Sequence, residues 1–177
     1  MNTIKRILVP TDLSEDSRAG LRSGMSLAGQ NNSELLVLHV TQALKLWQIP
    51  DELCLLDEQW IKWEVDRVLS EARLDLNRFL EPHRQDFGNI PAIRTKTVLG
   101  PVAPRIIELS YSEEVELIVM SPKPHGAVRR LFSRSITDHI TREAPCPVLS
   151  VRPPRAQYYP QGRLRPVFQG IPQGSHA

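Results

Sequence analysis

A chain of 177 residues with 41% hydrophobic and 24% charged side chains can bury one sizeable core without a metal or disulfide staple. Its formal charge of +2 divides unevenly: residues 153–177 contribute Arg155, Arg163 and Arg165 with no acid, so the first 152 residues carry 19 basic against 20 acidic groups, a net of −1. That balance argues against nucleic acid as a partner, and the lack of any 18-residue apolar run argues against a membrane-spanning helix.

The start, Met1 to Arg6, has no signal-peptide core before Pro10. The two cysteines, Cys54 and Cys146, lack CxxC spacing, which suits free thiols in a reducing compartment. A cytoplasmic setting is the expectation.

Ile4 to Val9 is an apolar run stopped by Pro10 and reads as a buried strand. Asp12-Leu13-Ser14-Glu15-Asp16 reads as the start of a first helix, with a capping hydroxyl and acids where the helix dipole favours them. Leu21, Met25 and Ala28 follow at helical spacing, and Gly29 with Asn31-Asn32 ends the helix. Leu35 to Val40 reads as a second buried strand. Between residues 41 and 63, a segment holding Trp47, Pro50 and Cys54 shows no clear period. Leu53, Leu56, Trp60 and Trp63 form a stripe suited to core or dimer packing, or to a lid over a cleft.

From Trp60 the period is helical. Ile61, Val65, Val68, Leu69, Ala72, Leu76, Phe79 and Leu80 keep a 3,4 spacing as far as Pro82. Ile93 to Val98 predicts a third strand, Val102, Ile106 and Leu109 a third helix, and Leu117 to Met120 a fourth strand. After a loop over 121–134, Ser135 to Asp138 reads as a capping box opening a short helix, with Ile136 and Ile140 facing inward. Pro145-Cys146-Pro147 breaks it, and Val148 to Val151 is the last strand. Alternation of this kind predicts an α/β domain over 1–152: an open five-stranded parallel sheet, Rossmann-like, with helices on both faces. Residues 153–177, with five prolines and no hydrophobic period, read as a disordered or loosely attached tail.

Three stretches carry a family resemblance: Ile7-Leu8-Val9-Pro10-Thr11-Asp12, then Leu36-Val37-Leu38-His39-Val40, then Leu117-Ile118-Val119-Met120 with Ala144-Pro145-Cys146-Pro147-Val148-Leu149-Ser150-Val151-Arg152. In these, and in element order, residues 3–152 resemble the universal stress protein family. The resemblance implies a homodimer, formed through the last strand at 147–152. It also implies where a nucleotide, ATP or AMP, would lie if one binds: along Pro10, Thr11, Asp12, Val40, Met120, Arg134, Ser135 and Ile136. Many members hold ATP with a loop patterned G-x-x-G-x9-G-S/T after strand four. At that spacing this chain has Ser121, Pro124, Arg134 and Ser135, so all three glycines are replaced.

Each replacement has a physical consequence. Glycines let the backbone approach the phosphates and turn bare N–H groups toward them. Pro124 has no N–H and a fixed negative φ, Pro122 removes a second donor, and Arg134 fills space a glycine would leave open. The expectation is therefore no cofactor: a non-enzymatic stress-response module acting as a homodimer through contacts with a protein partner. The alternative is an ATP- or AMP-binding switch or slow ATPase that uses Arg129, Arg130 or Arg134 for the phosphates. Asp12, at the carboxyl edge of the sheet, suits either a ligand contact or the turn after strand one. The four Lys/Arg of loop 123–134 suit a solvated surface or an anion. Catalytic signals are absent. The five histidines lack metal-ligand spacing, no GxGxxG follows strand one, and Gly24-Met25-Ser26-Leu27-Ala28 falls inside a helix, away from the strand-to-helix turn a nucleophilic serine needs.

Overall fold

The computed structural model describes residues 4–42, 58–121 and 136–152. Five strands make one sheet: β1 (Arg6–Thr11), β2 (Glu34–Thr41), β3 (Ala92–Leu99), β4 (Leu117–Met120) and β5 (Val148–Ser150). All recorded pairings are parallel and the spatial order is β3-β2-β1-β4-β5. Among the described residues four α-helices cover it: α1 (Arg18–Asn31), α2 (Glu58–Leu80), α3 (Val102–Ser112) and α4 (Ile136–Glu143). A 3-10 segment, Glu81–Asn89, joins α2 to β3.

Strand side chains alternate between two faces, and each face has its own apolar cluster. Ile7, Val9, Leu35, Val37 and Val119 pack against Leu21 and Met25 of α1 and Leu76 and Phe79 of α2. Leu8, Leu36, Leu38, Ile118 and Met120 pack against Ile106 and Leu109 of α3 and Ile140 of α4. Burial on both faces explains why β1, β2 and β4 read as unbroken apolar runs. The expected sheet, with helices on both faces, is the one observed.

Several boundaries differ from expectation. Pro10 does not stop β1, which runs on to Thr11. The recorded ladder with β4 covers only Ile7 and Leu8, while Pro10 lies beside Leu38 of β2, so the imino nitrogen falls where β1 has a partner on one side only. Helix α1 begins at Arg18, not at the acids, because residues 12–17 are used in a turn, and its first turn holds no acid. It passes through Gly29 and ends at Asn31, where Asn32 takes the left-handed conformation at φ 55° and its N–H bonds to the Ala28 carbonyl. In α2 the inner half of the stripe is buried, but Ile61, Trp60 and Trp63 are exposed and Glu64 is buried instead. The two tryptophans are therefore not core residues of this chain. Leu53, Leu56, Trp47, Cys54, loop residues 122–135 and the tail 153–177 lie outside the described residues.

At the amino edge of the sheet, charged side chains take over from the core. Arg6 Nε donates to Glu34 at 2.8 Å. Arg94 bridges Glu34 and Glu113, meeting the latter at 2.7 Å, and Lys96 reaches Glu113 at 2.9 Å. The Lys96 ammonium and the Arg94 guanidinium hold the Glu113 carboxyl down to about 2, from an ordinary 4.5. Its folded value lies below its unfolded one, so the stabilisation is complete above about pH 4.5 and is lost as the pH falls toward 2. Both cations are nearly half-exposed, which keeps the gain small. Glu113→Gln should cost about 1 kcal/mol at pH 7 and flatten the loss of stability between pH 4.5 and 2, as read by urea unfolding at each pH.

Candidate functional site

Order β3-β2-β1-β4-β5 means the chain reverses its direction of progress between β1 and β4. Open α/β sheets form a crevice at the carboxyl ends of strands flanking such a reversal, and here a cavity of about 160 Å³ lies there. Pro10 and Thr11 of β1 with Asp12 just after it, and Met120 of β4 with Ser121 just after it, form two of its sides. Leu38 and Val40 of β2 form the floor, and Val102 and Ile106 of α3 with Ile136 and Thr137 of α4 form the far wall.

Of the residues the sequence singled out, the cavity brings together Pro10, Thr11, Asp12, Val40, Met120 and Ile136. Arg134 and Ser135 lie outside the described residues. Ile136 is 46% exposed, so it faces the cleft mouth and not the core as expected; Ile140 alone is the inward anchor of α4. Sequence reasoning missed Leu38, Val102, Ile106, Ser17 and Thr137. Three of these had a readable signal: Leu38 sits two residues before Val40 on the same face of a strand, and Val102 and Ile106 are one turn apart on one helix face.

The wall beside β1 is built from a tight turn. Asp12 Oδ1 accepts from the Ser14 N–H at 3.0 Å and from Ser14 Oγ at 2.5 Å, the geometry of an Asx turn. Leu13 takes φ 63°, a left-handed conformation that side-chain-bearing residues adopt rarely, and its N–H bonds to Thr11 Oγ1 at 3.0 Å. Thr11 Oγ1 also meets Ser17 Oγ at 2.8 Å, and Ser17 Oγ donates to the Ser14 carbonyl. His39 Nδ1 donates to the Thr11 carbonyl at 3.0 Å, tying β2 to the end of β1. Asp12 is exposed at the rim, and its bonds to Ser14 show the turn-forming role.

Helix N-termini bind anions when their first N–H groups are bare. Those of α1 are spent within the chain. The N–H groups of Ser17, Arg18 and Ala19 bond to the carbonyls of Ser14, Glu15 and Asp16, and that of Leu21 to Ser17. The Gly20 N–H bonds to Ser121 Oγ at 2.8 Å. A Cβ at position 20 would lie 3.0 Å from the Ser121 backbone nitrogen, so a side chain there would press the end of β4 back by a few tenths of an ångström. Ser121 thus clamps the end of β4 to α1 through its side chain.

Other reactive groups give little. Cys146 is half-buried between two prolines, and burial pushes its thiol up from its ordinary value, the opposite of an activated thiolate. Ser26 is an exposed residue inside α1 that accepts from Gln30. Among the described residues no group of three or more His, Cys, Asp or Glu is placed to hold a metal, and no helix is long and apolar enough to cross a membrane.

A parallel sheet with this order and an apolar cleft at its reversal defines a Rossmann-like α/β domain. The chain belongs to the universal stress protein family, whose model matches residues 3–152. It is 24% identical over 157 residues to a universal stress protein of Methanocaldococcus jannaschii, covering 88% of this chain and 86% of that one. In fold it is similar to UspA from Lactobacillus plantarum, with a TM-score of 0.66 at 20% identity over 86% of this chain and all of that one. It is also similar to a universal stress protein solved in complex with cAMP, with a TM-score of 0.54 at 20% identity over 85% and 98% of the two chains.

The Gly20–Ser121 clamp makes a prediction. Ser121→Ala leaves the Gly20 N–H without its acceptor at a partly buried position. It should lower stability by about 1–2 kcal/mol in chemical denaturation, whereas Ser121→Thr, which keeps the hydroxyl, should recover part of the loss.

Proposed function

We propose that this protein is a non-enzymatic stress-response module of the cytoplasm, acting as a homodimer through protein contacts and binding ATP at most weakly. The observation that carries the reading is the spent N-terminus of α1 beside an apolar cavity of about 160 Å³. That volume is below the roughly 300–1,000 Å³ of clefts that enclose drug-sized ligands. It suits one planar ring and offers a triphosphate no free helix terminus at α1. Pro124 and Arg134 in the loop that follows β4 point the same way, since they remove a backbone donor and fill the space of a glycine. The cleft hydroxyls of Thr11, Ser17 and Ser121 bond to one another or to backbone, which suits wall groups better than a nucleophile paired with a base.

Support for the dimer comes from β5. It is an edge strand of three residues with Leu149 41% exposed, and an unpaired strand edge carrying an apolar side chain is a natural surface for a second copy.

A second reading, a switch that takes a nucleotide with fewer phosphates such as AMP, is favoured by the six cleft residues gathered around the cavity and by the relative that was solved with cAMP. Calorimetric titration with adenosine, AMP and ATP separates the readings. The module reading expects ATP to bind no more than about threefold tighter than adenosine, a difference under about 1 kcal/mol, and both weaker than micromolar. Preference for AMP over both supports the switch, and micromolar or tighter ATP overturns the proposal. Light scattering on the same sample should give twice the chain mass, falling to a single chain in Leu149→Lys.

A further inference from the structure

The cleft cavity is lined by apolar side chains from both layers: Leu38 and Val40 of β2, Met120 of β4, Val102 and Ile106 of α3 and Ile136 of α4. Its polar lining is largely used by the fold itself. Thr11 Oγ1 and Ser17 Oγ meet at 2.8 Å, Ser17 Oγ donates to the Ser14 carbonyl, and Ser121 Oγ accepts from the Gly20 N–H. Thr137 adds a further neutral hydroxyl on the far wall. Among the described lining residues none is a cation, and the one ionisable group, Asp12 at the rim, is an acid.

These walls sort candidate guests by charge. An anion brought inside would leave water and find no counter-charge on them, and a buried charge without a partner is far costlier than a buried polar group. Water fills such a space poorly, because a buried water needs about two to four polar partners. An uncharged apolar molecule faces neither obstacle, since leaving water is what favours its burial. Size narrows the choice further. Apolar cavities of about 150 Å³ accept a benzene-sized guest, and this one measures about 160 Å³. Met120 brings a polarizable thioether to the β4 wall, and sulfur of that kind packs favourably against aromatic rings.

We propose that the cleft is a binding site for a small uncharged aromatic molecule, a single or fused ring that carries no phosphate or carboxylate. This site rests on the proposed reading that the cleft takes ATP at most weakly, and adds to it a ligand class to which neither ATP nor AMP belongs. The base of a nucleotide could lie on the same floor of Leu38 and Val40, but its phosphates would then have to be carried out past the carboxylate of Asp12. A free ring has nothing to carry out.

Titration of the full chain with indole tests the site, followed by calorimetry and by methyl NMR of the methionines. Met120 lines the cleft, whereas Met25 packs on the opposite face of the sheet, so the two methyls separate entry into the cavity from general adsorption. Indole should shift the Met120 signal saturably and leave that of Met25 in place. Indole carboxylate, the same ring with a charge, should bind at least about tenfold more weakly. Val40→Phe, which fills the floor, should weaken indole by a similar factor; if that variant does not fold, Val102→Phe on the far wall takes its place. ATP titrated into the same sample keeps the two readings apart. Weak ATP binding with no Met120 response up to the solubility of indole would overturn the aromatic site alone, and micromolar ATP would overturn both. A carboxylate that binds as tightly as indole, a Met25 shift as large as that of Met120, or indole binding unchanged in the filled variant would each overturn the site as well.

Discussion

Helix α1 lies against β1 at a separation that a side chain at position 24 would not permit, and against the end of β4 at one that a side chain at position 20 would strain. A Cβ on Gly24 would stand 2.4 Å from Val9 Cγ2, and one on Gly20 would stand 3.0 Å from the backbone of Ser121. Glycine inside a helix costs roughly 0.5–1 kcal/mol relative to alanine, so Gly20 and Gly24 weaken α1 as an isolated helix. What they permit is contact: Leu21, Met25 and Ala28 reach the apolar face of the sheet, and Ser121 Oγ reaches the Gly20 N–H. The end of β4 is held to α1 by that contact, beside a turn at 12–17 that its own side chains set.

The same closeness bears on what the cleft can bind. A helix standing further from β4 would leave the Gly20 N–H open to an anion, although those of Ser17, Arg18 and Ala19 are closed by local carbonyls at any separation. Here the chain's own carbonyls and one serine hydroxyl have taken them. The loss of loop glycines at 124 and 134 and the closure of the α1 terminus are separate features, one read from sequence and one from geometry. On the proposed reading both count against a bound triphosphate, and the apolar floor of Leu38, Val40 and Met120 is in place beside them.

The sheet was legible because its signals are strong and local. Ile7-Leu8-Val9, Leu35 to Leu38 and Leu117 to Met120 are buried on both faces, and few other environments call for such runs. The cleft was legible in part, through β1 and β2 motifs that resemble those of a known family. What escaped reading depends on contacts distant in sequence. Nothing near Pro10 says that β4 pairs with β1 only through Ile7 and Leu8, and that is why a proline is tolerated there. The acids at 15 and 16 look like a helix start because the pattern is local, whereas the turn is set by Thr11 and Ser17 meeting across it. Gly20 and Ser121 are 101 residues apart, and a single sequence holds no sign that they touch.

The close approach of α1 is tested most directly at Gly24, where two effects oppose each other. Helix propensity alone favours Gly24→Ala by up to about 1 kcal/mol, while a methyl forced against fully buried Val9 should cost about 1–3 kcal/mol. Urea denaturation of Gly24→Ala should therefore show a net loss of stability. An unchanged or raised midpoint would mean that α1 does not lie this close to the sheet, and the account of the cleft built on that contact would be contradicted.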